Sequence, residues 1–186
     1  MSESALFIDR PALLFNETTE RGQGNISVNA EALHGLLQLA PGTFKLVLIG
    51  NEDSIAFERV IEKKHQKACL QIKEALDRAR IHVIADYTCP WASNAPPARR
   101  RDSVFRLPNV GALKAARLEF DVQLDTSWVI SDRAEAMLAG SRAGARTALI
   151  RSEKNERRFD ITPDLVADDL GTAVRFLTKL QSAMSR

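Results

Sequence analysis

Two aspartates, Asp9 and Asp132, each close a short apolar run, A-L-F-I-D and W-V-I-S-D. In an α/β protein, ligands gather outside the carboxyl ends of the strands, so acids placed there are candidates for chemistry. Asp9 could act as a nucleophile. Asp9 and Asp132 together could hold a hard divalent cation such as Mg2+, which prefers oxygen ligands. Gly50 with Asn51 ends a second apolar run and Asp86 a third, which would complete a polar rim. The same acids could equally be helix caps or solvated strand ends, since Asp is favoured at such positions.

The elements that must position them read as alternating strands and helices. Ala5–Asp9, Lys45–Ile49, Ile81–Ala85, Trp128–Ser131 and Arg146–Ile150 are rich in Val, Ile and Leu and show little polar alternation. That is the pattern of strands buried on both faces of a parallel sheet. Helical spacing is expected over Asn29–Leu39, Ser54–Ala79, Asn109–Leu118, Arg133–Arg142 and Asp169–Ala183, the last with Asp168 or Asp169 as its cap. This order predicts right-handed crossovers and an open, doubly wound α/β sheet in a single domain over 1–186, with no large cap domain.

The chain has 186 residues, 45% of them hydrophobic, and a net charge of +2, too small to imply a nucleic-acid partner. Cys69 and Cys89 suggest neither a disulfide framework nor a metal knuckle. The first residues lack a secretory signal pattern and no apolar run approaches the ~20 residues of a membrane span. A cytoplasmic protein without a membrane contact is expected; the oligomeric state is left open. An irregular loop is expected over 87–108, with Pro96-Pro97 and the basic run Arg99–Arg101. It is longer than the usual ~12–15 residues of an unstructured connection.

Four motifs in order resemble the haloacid-dehalogenase-like phosphohydrolases, in the branch with heptose-bisphosphate phosphatase and histidinol-phosphatase. F-I-D-R-P-A-L stands where that family has an apolar strand and D-R-D-G-T, which puts Asp9 on the phosphate-accepting nucleophile. V-L-I-G-N-E-D-S-I-A stands for T-N-Q-S-G-I-A with Asn51 in register. R-L-P-N-V-G stands for R-K-P-H-P-G and keeps Arg106, Pro108 and Gly111. I-S-D-R-A-E-A stands for V-G-D-x-x-x-D and keeps Asp132. The resemblance implies a Rossmann-type sheet and a Mg2+ site formed by Asp9, Asp132 and the Pro11 carbonyl. It also implies phosphate contacts from Asn51, Arg106 and Arg133.

The departures weaken the chemistry. The family's acid/base aspartate falls on Pro11, its phosphate-holding threonine on Gly50, its charge-neutralising lysine on Leu107 and its second metal-side acid on Ala136. General acid–base help alone is worth about 10²–10⁴-fold in rate. Of the branch's C-x-H and C-x-C zinc loop only Cys89 remains, with Trp91 in the histidine place, and one thiolate cannot make a four-ligand site, so no zinc is expected.

The sequence thus predicts a weak or inactive phosphatase that retains a Mg2+ and phosphate-type binding site for a small phosphorylated molecule. A working phosphomonoester hydrolase, acting through Asp9 on a small sugar phosphate or histidinol phosphate, is the alternative. It would need Glu52, Asp53 or Glu135 to move the proton, and Arg106 and Arg133 to supply positive charge. A further alternative is an interaction module using Arg99–Arg101, against which a solvated loop is the simpler reading. His34, His65 and His82 show no ligand spacing, Cys69 reads as a small buried residue, and Gly22 and Gly24 as shapers of the loop after the first strand.

Overall fold

The computed structural model describes residues 3–18, 24–152 and 162–184. Gly22 lies outside them. Six strands form one parallel sheet in the order β5-β4-β1-β6-β7-β8: β1 Glu3–Asp9, β4 Lys45–Ile49, β5 Val83–Asp86, β6 Val122–Ser131, β7 Arg146–Ile150 and β8 Leu165–Ala167. β1 is central, paired with β4 on one side and β6 on the other. Its alternating side chains feed two cores, as the two-residue repeat of a strand requires. Leu6 and Ile8 pack beneath helices α2 (Ala30–Leu36), α4 (Glu62–Arg78) and α7 (Leu170–Met184). Ala5 and Phe7 pack beneath α5 (Gly111–Phe120) and α6 (Ala134–Ala143). The fold is a doubly wound α/β sheet.

The structure departs from the sequence expectations in four places. The helix expected over Ser54–Ala79 is two, α3 (Asp53–Ala56) and α4. Glu58 adopts the left-handed conformation at φ 54°, and the link turns back so that the Gly24 amide donates to the Arg59 carbonyl. The run Trp128–Ser131 is only the second half of β6, whose first half alternates buried and exposed residues. A β-hairpin of β2 (Phe15–Thr18) and β3 (Asn25–Val28) follows the short helix α1 (Arg10–Leu13), and the three-residue β8 closes the far edge. Asp169 accepts from the Thr172 amide at 2.7 Å at the start of α7, the cap expected there.

Helices α2 and α7 cross at two glycines. A methyl group on Gly35 would meet the Gly171 amide nitrogen at 2.5 Å and its Cα at 2.7 Å, so the backbones touch. No helix among the described residues is long and apolar enough to cross a membrane.

Candidate active site

Parallel pairing carries Asp9 of β1, Gly50 to Glu52 after β4, Asp86 of β5, and Ser131 at the end of β6 with Asp132 and Arg133 after it, to one edge of the sheet. Asp9 is wholly buried there. Its Oδ1 accepts from the Ala12 amide at 3.2 Å, capping α1, and its Oδ2 accepts from the Ser131 hydroxyl at 2.7 Å. Burial pushes its carboxyl up to about 6, against the pull of the Arg133 charge and these two hydrogen bonds; Asp132 adds to the rise. Asp9 and Asp132 are thus neighbours electrostatically, with Arg133 beside both.

The Asp9 carboxylate and the Pro11 ring both border the space a side chain at Gly50 would take. Gly50 has φ 130°, and a Cβ there would lie 2.4 Å from Asp9 Oδ1 and 2.6 Å from the Pro11 ring. A threonine at this place has no room. Gly50→Ala combines a left-handed backbone with that overlap and is expected to cost about 2–4 kcal/mol, read as a lower urea midpoint at unchanged slope.

The buried acid also sets a pH dependence. Its folded value near 6 lies above the ordinary 3.8, so its contribution to stability is complete below 3.8 and is lost as pH rises through 6. Asp9→Asn removes the charge and keeps the shape. The variant is expected to gain about 1 kcal/mol on the unaltered chain between pH 5 and pH 8, measured by denaturant unfolding at both.

The remaining positions singled out in the sequence have other partners. Asn51 spends its side-chain amide on Leu107: its Nδ2 donates to the carbonyl at 3.0 Å, and the Leu107 amide donates to its Oδ1 at 2.8 Å. Arg106 donates to Asp53 at 2.8 Å and to the Trp91 carbonyl at 3.0 Å. Leu107 and Ala136, where the resemblance would place a lysine and an acid, are buried in the core beside α5 and α6. Of the proton-moving candidates, Glu52 is buried, Asp53 is paired with Arg106, and Glu135 is exposed.

Segment 87–108 is ordered by contacts within itself and with its neighbours. Arg99 and Arg101 lie over the Trp91 ring at 5.3 and 4.6 Å, Arg99 also donates to Glu62, and Arg100 donates to the Ala95 carbonyl at 3.0 Å. Cation–π contacts and hydrogen bonds therefore engage the basic run in holding the loop. Cys89 is buried, with its Sγ directed to the Trp91 carbonyl.

Two groupings escaped sequence reasoning. Ser131 orients Asp9 and would be visible only as a hydroxyl one residue before a strand-end acid. Arg10, Glu52 and His65 form a buried chain: Arg10 donates to Glu52 at 2.5 Å, to Thr88 at 2.8 Å and to Asp86, and Glu52 also meets His65, whose neighbour is Cys69. Burial opposes charge here, yet Cys69 and Glu52 push His65 up to about 9 while His65 and Arg10 hold Glu52 low. Their signal was His65 and Cys69 four apart, on one face of a helix.

A family model described as HAD-hydrolase-like matches residues 104–173. The chain is 31% identical over 185 residues to the D-glycero-alpha-D-manno-heptose-1,7-bisphosphate 7-phosphatase of Burkholderia mallei, across 96% of this chain and 95% of that protein. The chain belongs to the HAD-like hydrolases. A second member, the D-glycero-D-manno-heptose-1,7-bisphosphate 7-phosphatase of Chlorobaculum tepidum, is 31% identical over 141 residues, or 70% of this chain and 71% of its own. Among solved structures, the D,D-heptose 1,7-bisphosphate phosphatase of B. bronchiseptica complexed with magnesium and phosphate superposes on this HAD-like hydrolase with a TM-score of 0.74. It is 18% identical and covers 95% of this chain and 99% of that one, a likeness of fold.

Proposed function

We propose that this HAD-like hydrolase binds a small phosphorylated sugar, of the heptose-phosphate kind named for its relatives, at the rim around Asp9, and that it hydrolyses it weakly or not at all. The observation that carries this reading is that Asp9 is wholly buried, with its carboxylate and the Pro11 ring both bordering the space a side chain at Gly50 would take. An attacking carboxylate needs an open face toward phosphorus and a neighbour able to move a proton, and Pro11 supplies neither. The charge of Arg133 beside Asp9 favours anion binding and is a feature that favours a working enzyme.

Asp9, Asp132 and the Pro11 carbonyl are an all-oxygen donor set, which fits Mg2+ in chemistry. The desolvated charge of Asp9 is what such an ion would relieve, in competition with Arg133. A bound ion would supply charge neutralisation for a phosphate; the chain's own part is to hold Asp9 fixed through Ser131 and Ala12.

The test is a phosphomonoester panel with Mg2+, including heptose 1,7-bisphosphate and histidinol phosphate, alongside calorimetry of Mg2+ with beryllofluoride. Binding with turnover at background is expected. Turnover in the ordinary enzymatic range of about 1–10³ s⁻¹, abolished by Asp9→Asn, would establish a working phosphatase instead.

A further inference from the structure

Glu52, His65 and Cys69 each offer one donor atom within 4.8 Å of the other two, outside the Asp9 and Asp132 pair. They come from two places: Glu52 from the turn between β4 and α3, and His65 and Cys69 from successive turns of α4. Cys69 Sγ stands 3.7 Å from His65 Nδ1 and 3.8 Å from Nε2. A sulfur and a nitrogen bound to one tetrahedral Zn2+, at ~2.3 and ~2.0–2.1 Å, lie ~3.6 Å apart, so the sulfur–nitrogen spacing suits a shared ion, while the direct Glu52–His65 contact opens to admit it.

Glu52 is only 2% exposed, and its second oxygen, Oε1, has no hydrogen-bond partner. A buried carboxylate oxygen left without a partner is costly and asks for an explanation. Beside Glu52 and His65 lies a cavity of about 170 Å3 with Arg10, Glu62, Gln66 and Thr88 on its wall, which gives an approach and room for water as a further ligand. We infer that Glu52, His65 and Cys69 form a binding site for a borderline-soft divalent metal ion of the Zn2+ or Co2+ kind. Mixed oxygen, nitrogen and sulfur donors select such ions over Mg2+.

A metal ion binds the thiolate and the neutral imidazole, so its entry displaces protons rather than electrons and no redox partner is needed. Arg10 can then keep its contact with Glu52 Oε2 while Oε1 turns to the ion. The site adjoins the loop around Cys89, for which the sequence predicted no zinc: the Glu52 amide donates to the Cys89 carbonyl at 2.9 Å, but the Cys89 thiol is not among the three donors.

Cobalt titration of the reduced, full chain tests this. A near-ultraviolet sulfur-to-cobalt charge-transfer band with visible bands of tetrahedral cobalt is expected. Cys69→Ser should lose the charge-transfer band and Cys89→Ser should keep it. In the unaltered protein, Zn2+ should suppress alkylation of Cys69, assigned by peptide mapping, a readout that needs no variant to fold. Absence of the charge-transfer band, its persistence in Cys69→Ser, or unchanged alkylation of Cys69 under Zn2+ overturns the site.

Discussion

Pro11→Asp is expected to raise phosphomonoester turnover by at least about 10²-fold over the unaltered chain. The substitution does two things at once. It removes the ring that borders the space at Gly50 beside the Asp9 carboxylate, and it places an ionisable group two residues beyond the candidate nucleophile, where a proton could be delivered to a leaving oxygen. The backbone tolerates it: Pro11 is the second residue of α1, whose first-turn amides are unpaired within a helix, and an acid there is favoured by the helix dipole. Gly50 stays as it is, because the Asp9 carboxylate itself fills the space of a larger residue. Assay at pH 6 to 7 with Mg2+ and a heptose phosphate is the measurement. The gain should vanish in Pro11→Asp combined with Asp9→Asn. A double variant as active as the single one would remove Asp9 from the chemistry.

The largest stability effect is expected at the residue before it. Arg10→Met should destabilise the fold by about 3–4 kcal/mol. Arg10 is almost fully buried and donates to Glu52, Asp86 and Thr88, with its guanidinium also 5.7 Å from the centre of the Phe15 ring. Methionine matches much of the volume but leaves Glu52, among the described residues, with His65 as its remaining charge partner. Removing one member of a buried pair strands the other, which is why such losses exceed those at the surface. The double variant Arg10→Met, Glu52→Gln should lose less than the two single losses combined, because their effects are coupled. Urea midpoints of all four proteins decide it, and a single loss below about 1 kcal/mol would show that solvent reaches the network.

The sheet was legible wherever both faces are covered. Lys45–Ile49 and Arg146–Ile150 are strands with the same bounds as their apolar runs, because a doubly buried strand has no polar face to blur them. The first half of β6 was illegible for the opposite reason: Gln123 and Asp125 face out, and alternation breaks the run. The break between α3 and α4 is a tertiary effect, made by the docking of the hairpin at Arg59, and nothing in the local helical spacing announces it.

At the site, Asp9 and Asp132 were readable because strand ends converge on one edge by topology alone. The partners of Asn51 and Arg106 were not, since Leu107, Trp91 and Asp53 lie at distances in sequence that no spacing rule connects. The buried chain from Arg10 to Cys69 failed for the same reason. Each member looked ordinary in its own segment, and only folding makes a cluster of them.

The touching glycines of α2 and α7 bear on the order of assembly. Position 35 leaves the ribosome long before position 171, and β1 has to wait for β6 before its second side is paired. The first third of the polypeptide therefore stays without its closing contacts through most of synthesis, a high-contact-order situation in which folding is slow and chaperone capture has time to act. Arrest of translation ahead of residue 170 should yield nascent chains that proteases digest readily, whereas release of α7 from the exit tunnel should make them resistant in one step.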